Sequence, residues 1–96
     1  MAEWTFEWDE AKSQKNLAKH GVPFVVACRV FEDIFALDRI DLESCASEAR
    51  YVIGGMVEGI LLQVVYTERE DRIRIISARK ATKHEEAEYY RSQTAE

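Results

Sequence analysis

Between Arg50 and Arg79 the chain carries three runs rich in Val, Ile, Leu and Tyr, separated by connections too short for anything but hairpins. Arg50 to Val57 and Ile60 to Thr67 are joined by Glu58-Gly59, a two-residue turn in which glycine supplies a positive φ. Glu68 to Asp71 reads as a four-residue turn into a last strand, Arg72 to Arg79. Short connections force antiparallel neighbours, because a parallel pair needs a crossover of a dozen residues or more. The stretch is thereby committed to a meander, and the rest of the chain must cover it.

Register then sorts the side chains. With Val57 opposite Ile60 and Thr67 opposite Arg72, one face collects Tyr51, Ile53, Val57, Ile60, Leu62, Val64, Tyr66, Ile73, Ile75 and Ser77. It is nearly all apolar and requires helices over it. The other face collects Arg50, Val52, Met56, Leu61, Gln63, Val65, Thr67, Arg72, Arg74 and Ile76, with Arg50, Thr67 and Arg72 in one cross-strand row. Like charges held in a row call for acidic neighbours, such as Glu48, Glu68, Glu70 or Asp71, or for a bound anion. Both readings stand at this point. A one-residue change in the second turn would flip the last strand.

The flanks supply the cover. Trp4 to Trp8 alternates like a short strand, Asp9 is placed to cap a helix over 10–20, and Gly21 with Pro23 ends that helix. Phe24, Ala27, Cys28 and Phe31 form the apolar stripe of a second helix at about 23–31. Phe35 to Arg39 reads as a strand and Asp41 to Glu48 as an acidic loop. Thr82 and Glu85 form a capping box that opens a helix to about residue 93. The order β-α-α-β-β-β-β-α makes an α+β fold in one domain spanning 1–96. With 47% hydrophobic and 32% charged residues the chain has the composition of a globular domain. It shows neither a bilayer-length apolar run nor a leader-like N-terminus, so a cytoplasmic location is expected. Cys28 and Cys45 are expected to be free thiols.

On the first helix Lys12, Asn16 and His20 follow i, i+4, i+8, with Lys15 and Lys19 beside them. An imidazole can exchange a proton, so His20 is a candidate proton-transfer residue. It also suits a purely structural place, since a cation at a helix C-terminus meets the dipole favourably. The lysines taken singly make an ordinary solvated face, and Trp4 and Trp8 suit core or rim positions. His84 has no ligand spacing around it and there is no phosphate-binding glycine loop, so neither a metal site nor a cofactor is expected. The net charge of −5 disfavours nucleic acid in bulk, although Arg72, Arg74, Arg79, Lys80 and Lys83 fall close together.

Several segments together carry a resemblance. Phe6-Glu7-Trp8-Asp9 with Lys12 and Asn16, then Lys19-His20-Gly21-Val22-Pro23-Phe24, then the run from Arg72 to Thr82 with Tyr89 or Tyr90 downstream, resemble the BrnT toxins of bacterial toxin–antitoxin pairs. The resemblance implies a RelE/ParE-like fold, an antiparallel sheet with helices packed on one face. It also implies a metal-independent ribonuclease that arrests translation and is neutralised by a BrnA-type antitoxin. RNA is then the substrate, DNA is met only through the antitoxin, and no membrane is involved. Motif positions point to Lys19, His20, Arg74, Arg79 and Lys80, and register adds Arg50 and Thr67. The expected roles are proton transfer for His20, transition-state stabilisation for Arg74 and Arg79, and substrate contacts for Lys12, Lys19, Arg50, Thr67, Arg72 and Lys80. The acidic balance and Pro23 at the second helix start depart from the pattern. Against the ribonuclease stand a non-catalytic protein-binding module of the same fold and a toxin acting on a protein target.

Overall fold

The computed structural model describes residues 4–42 and 47–94. Its elements are β1 (Phe6–Glu7), α1 (Glu10–His20), α2 (Phe24–Ala27) running directly into a 3₁₀ helix (Cys28–Glu32), β2 (Leu37–Ile40), β3 (Tyr51–Val57), β4 (Ile60–Arg69), β5 (Arg72–Lys80) and α3 (Lys83–Thr94). The α+β order is the one expected. The five strands form one sheet in the order β1-β5-β4-β3-β2. From β2 to β5 it is the antiparallel meander read from the turns, but β1 joins β5 in parallel, with Phe6 opposite Ile73, so the sheet is mixed. A parallel neighbour is possible there because the whole remaining sheet lies between the two strands in sequence. β2 begins at Leu37 rather than Phe35, because the Asp33 carboxylate accepts the Phe35 N–H at 2.9 Å and bends the chain first.

The first hairpin has the expected register, from Val57 opposite Ile60 to Tyr51 opposite Tyr66, with φ of 50° at Glu58 and 84° at Gly59. The second turn is shorter than expected. Glu70 takes φ 57°, leaving a two-residue connection that sets Arg69 opposite Arg72 and Thr67 opposite Arg74. This two-residue slip in register preserves the faces as far as Ile75. A β-bulge then inserts Ile76, so that Ser77 stands opposite Val65 and Ala78 opposite Val64. Ser77, expected on the apolar face, is therefore turned to the other one, and Ala78 takes its place in the core.

α2 and the 3₁₀ helix cover the apolar face with Phe24, Ala27 and Val30, all fully buried. Complete burial of a side chain such as Phe24 contributes about 1.5–3 kcal/mol. Phe31 meets Tyr66 edge-on with centroids 5.0 Å apart and also packs on Phe6. Gly55 makes the approach possible, since a Cβ there would lie 2.9 Å from the Val30 carbonyl oxygen. The expectation that all helices share this face does not hold. α3 crosses the opposite side, where Tyr89 is buried and α3 residues face Leu37, Gly54, Leu61 and Gln63. That face carries Val52, Leu61 and Val65 and so needs a cover of its own.

Caps behave as the sequence demands. Asp9 accepts the Lys12 N–H at 3.1 Å, and left-handed Gly21 returns its own N–H to Leu17. Thr82 and Glu85 exchange their capping-box bonds at 3.2 and 2.8 Å. Cys28 is half-buried, and burial pushes its thiol up to about 11; Cys45 and the middle of the acidic loop lie outside the described residues. No helix of the described residues is long and apolar enough to cross a membrane.

β1 spans only two residues, so most of β5 lacks a strand on its outer side. α1 lies there instead. The Asn16 side-chain amide donates to the Ala78 carbonyl at 2.9 Å and to the Val22 carbonyl at 3.0 Å, and its oxygen accepts the Ala78 N–H at 3.1 Å. A side chain thus supplies both bonds that a neighbouring strand would have made. Beyond the end of β2 the Asp33 carboxylate covers a single backbone donor, accepting the Met56 N–H at 2.7 Å while the Tyr89 hydroxyl donates to the same oxygen. Burial raises the Asp33 pKa, but the Tyr89, Met56 and Phe35 donors outweigh it and hold the carboxylate below its ordinary range. Replacing Asn16 with Ala strands three backbone groups in a buried setting, so Asn16→Ala should lower unfolding stability by about 3 kcal/mol in urea titration. A loss under ~0.5 kcal/mol would mean that the edge is satisfied otherwise.

Candidate basic surface

α1 presents its cations beside the edge it closes. Because Asn16 points into β5, the neighbouring positions Lys12, Lys15, Lys19 and His20 rim a groove of about 330 Å³ whose floor is Ile76 and Ser77. His20 ends the helix, next to the left-handed Gly21. Lys12, Lys19 and His20, selected from sequence, are therefore gathered in one place.

The bulge connects this groove to a second. Ser77 also lines a groove of about 660 Å³ on the sheet face opposite the main core, together with Arg39, Asp41, Gln63, Val65 and Arg79. Without the extra residue at Ile76, Ser77 would point into the core and the two grooves would have no common wall. Ser77 was not among the expected site residues. Its signal was the Ile-Ser-Ala-Arg segment, but a bulge has no reliable mark in a single sequence.

The arginines of this face are held by carboxylates. Glu7 on β1 reaches Arg72 at 3.2 Å and Arg74 at 3.3 Å, and Glu70 adds a 3.6 Å contact to Arg72. Glu7 sits opposite Arg74 in the parallel pair. It was missing from the acids considered above, because only the β1–β5 pairing brings it there. Arg69 binds Glu48 at 3.0 Å, and the Glu48 pKa is lowered by that bond first and by the nearby charges of Arg69, Arg50 and Arg74 after it. Arg50 is different: its Nε is buried without a hydrogen-bond partner among the described residues. Arg79 forms a two-pronged pair with Glu85, at 2.9 and 2.8 Å. The Glu85 carboxyl is held down to about 2, by the Arg79 bonds first and by the Thr82 N–H besides.

The remaining two expected positions are elsewhere. Thr67 is buried and donates its hydroxyl proton to the Ala49 carbonyl at 2.6 Å, so it serves the sheet. Lys80 lies at a separate apolar hollow with Gly21, Pro23 and Ile60. The expected row of Arg50, Thr67 and Arg72 becomes one with Arg74 opposite Thr67, and Arg72 two pairs further along, opposite Arg69. Taken together, the surface offers a lysine and histidine rim, a shared serine floor, and a bank of arginines whose charges carboxylates now offset. Such guanidinium groups recognise phosphate oxygens in the same two-pronged manner in which they hold carboxylates.

A family model described as the ribonuclease toxin BrnT of type II toxin–antitoxin systems matches residues 8–85, from the end of β1 to the capping box of α3. The five-stranded mixed sheet with three helices is compatible with a RelE-like toxin fold. No curated protein matches the chain.

The Arg79–Glu85 clamp has a pH signature. A carboxyl held at about 2 against an ordinary 4.5 stabilises the fold above pH 4.5 and loses that contribution as pH falls toward 2. Thermal melts should therefore show a steep acid limb between those values that Glu85→Gln flattens. An unchanged limb in the variant would place the acid sensitivity elsewhere.

Proposed function

Since the chain belongs to the BrnT family of ribonuclease toxins of type II toxin–antitoxin systems, we propose that it cleaves RNA without a metal ion at the groove where α1 meets the bulge of β5. In this reading it acts on cytoplasmic RNA, arrests translation, and is neutralised by a BrnA-type antitoxin that alone contacts DNA. The observation that carries the reading is the shared Ser77 wall, which joins the Lys12, Lys19 and His20 rim to the face bearing Arg79.

The chemistry is transfer of the phosphoryl group to the neighbouring 2′-oxygen. The 2′-hydroxyl gives up its proton as its oxygen bonds to phosphorus, the bond from phosphorus to the 5′-oxygen breaks, and that oxygen takes up a proton. His20 is the proton carrier in this scheme. Arg74 and Arg79 offset the charge that builds on the five-coordinate phosphorus, in the role a metal ion would otherwise have. Lys12, Lys19, Arg50 and Arg72 hold flanking phosphates. Thr67 and Lys80 take no part, given the internal bond of the first and the separate place of the second. Arg74 shares Glu7 with Arg72, and Arg79 is bonded to Glu85, so substrate phosphates must compete with those carboxylates. This competition is also what favours the second reading, a binding module that lost cleavage.

Purified protein incubated with RNA in the presence of a chelator should produce fragments ending in 2′,3′-cyclic phosphate. Arg74→Ala should slow cleavage by about 10²–10³-fold. His20→Ala should slow it by about 10²-fold or more. Intact RNA with the unaltered protein, alongside tight binding of the antitoxin, would establish the second reading instead.

A further inference from the structure

The sheet's two outer sides are treated in opposite ways. On the β5 side the open backbone is closed by Asn16, and past the end of β2 the Met56 N–H is closed by Asp33. Along β2 itself, among the described residues, nothing pairs with the outer side. The ladder shows which groups are open. Asp41 donates its N–H to the Arg50 carbonyl, and Arg39 stands opposite Val52, so the alternation of an antiparallel pair turns the N–H and C=O groups of Asp38 and Ile40 outward.

The same segment exposes the apolar side chains Ile34, Phe35, Leu37, Ile40 and Leu42, with Ile34 and Leu42 at 89% and 88% exposure. Natural sheets blunt such edges with charge, proline or a covering element, and a bare apolar edge marks a place where another chain pairs. The chain that carries this edge is acidic on balance. The Asp38 carboxylate on β2 accepts the Tyr66 hydroxyl at 2.7 Å, and the chain as a whole carries a net charge of −5. That sign repels a polyphosphate and suits a basic polypeptide.

We propose that the outer edge of β2 is a docking site for the antitoxin, which adds an extended, basic and apolar segment as a sixth strand beside Asp38 and Ile40. A type II toxin implies a protein partner, and an incoming strand satisfies the open backbone groups while its side chains cover the exposed apolar row. The inference rests on family membership and on the edge, and it does not depend on the cleavage chemistry above.

Two measurements with the purified cognate antitoxin test it. Amide hydrogen exchange should slow at Asp38 and Ile40 in the complex by at least about 10-fold over the free toxin. Ile40→Pro removes an outward N–H without breaking a β2–β3 bond, and should weaken antitoxin binding by at least about 10-fold while the thermal melt of the free toxin is retained. Exchange at Asp38 and Ile40 as fast in the complex as in the free protein would overturn the proposal. So would protection that grows with toxin concentration alone, which makes the occupant a second copy, or protection produced by RNA. Because exchange is read without RNA, an inactive toxin would defeat the cleavage reading and leave this one standing.

Discussion

One carboxamide holds the layout together. β1 is too short to cover β5, and a bare edge in the middle of a small protein leaves backbone groups without partners in a region that water reaches poorly. Asn16 answers both the donor and the acceptor of Ala78 and adds the Val22 carbonyl from the turn between α1 and α2. It therefore fixes α1 against the sheet, sets how α1 is rolled about its axis, and anchors the start of α2. The roll matters for function, since it decides that Lys12, Lys19 and His20 border the β5 groove instead of facing away from it. Neither a leucine nor an aspartate in that place would both give and accept.

Local patterns in the sequence were readable and distant pairings were not. The Asp9 cap, the Gly21 stop, the Glu58-Gly59 turn and the Thr82–Glu85 box each involve residues within a few positions of one another, where steric and hydrogen-bonding rules act without help from the rest of the chain. The register of the first hairpin followed from its turn. The second turn was misjudged by two residues because Glu70, a non-glycine, adopts a positive φ that no sequence rule favours. The bulge at Ile76 changed what Ser77 faces, and the parallel approach of Glu7 to Arg72 and Arg74 rests on a pairing between the two ends of the chain. Of the candidate site, the α1 residues were legible by helical spacing. The state of the arginines was not, since Glu7 and Glu85 reach them only through tertiary structure.

The ion pairs explain how an acidic chain keeps an arginine-rich face. Each of Arg69, Arg72, Arg74 and Arg79 has a glutamate within reach, so mutual repulsion among them is offset without a ligand. Pairs of this exposure contribute little to stability one by one. Their effect is on the field: the face is near neutral at rest, and its cations are arranged but already engaged. Among the described residues the lysines of α1 carry no such partners, so their charge is open to a polyanion without a competing carboxylate. A polyanion would meet α1 first and the arginines second.

The pairing of Phe6 with Ile73 also bears on when the molecule becomes a molecule at all. A chain made from its N-terminus exposes β1, α1 and α2 long before β5 exists, and for that interval Phe6, Phe24 and Trp8 have no sheet to lie on. Ala78, whose N–H and carbonyl receive Asn16, follows it by 62 residues. Loop closure over such a separation is slow compared with local helix formation. His20, from early in the chain, and Arg79, from late, line two grooves that meet at Ser77, and those grooves are joined only once β5 has been made. A nascent fragment ending before β5 carries the histidine and the lysines but none of the surface they border, so the basic groove does not exist until β5 has been made.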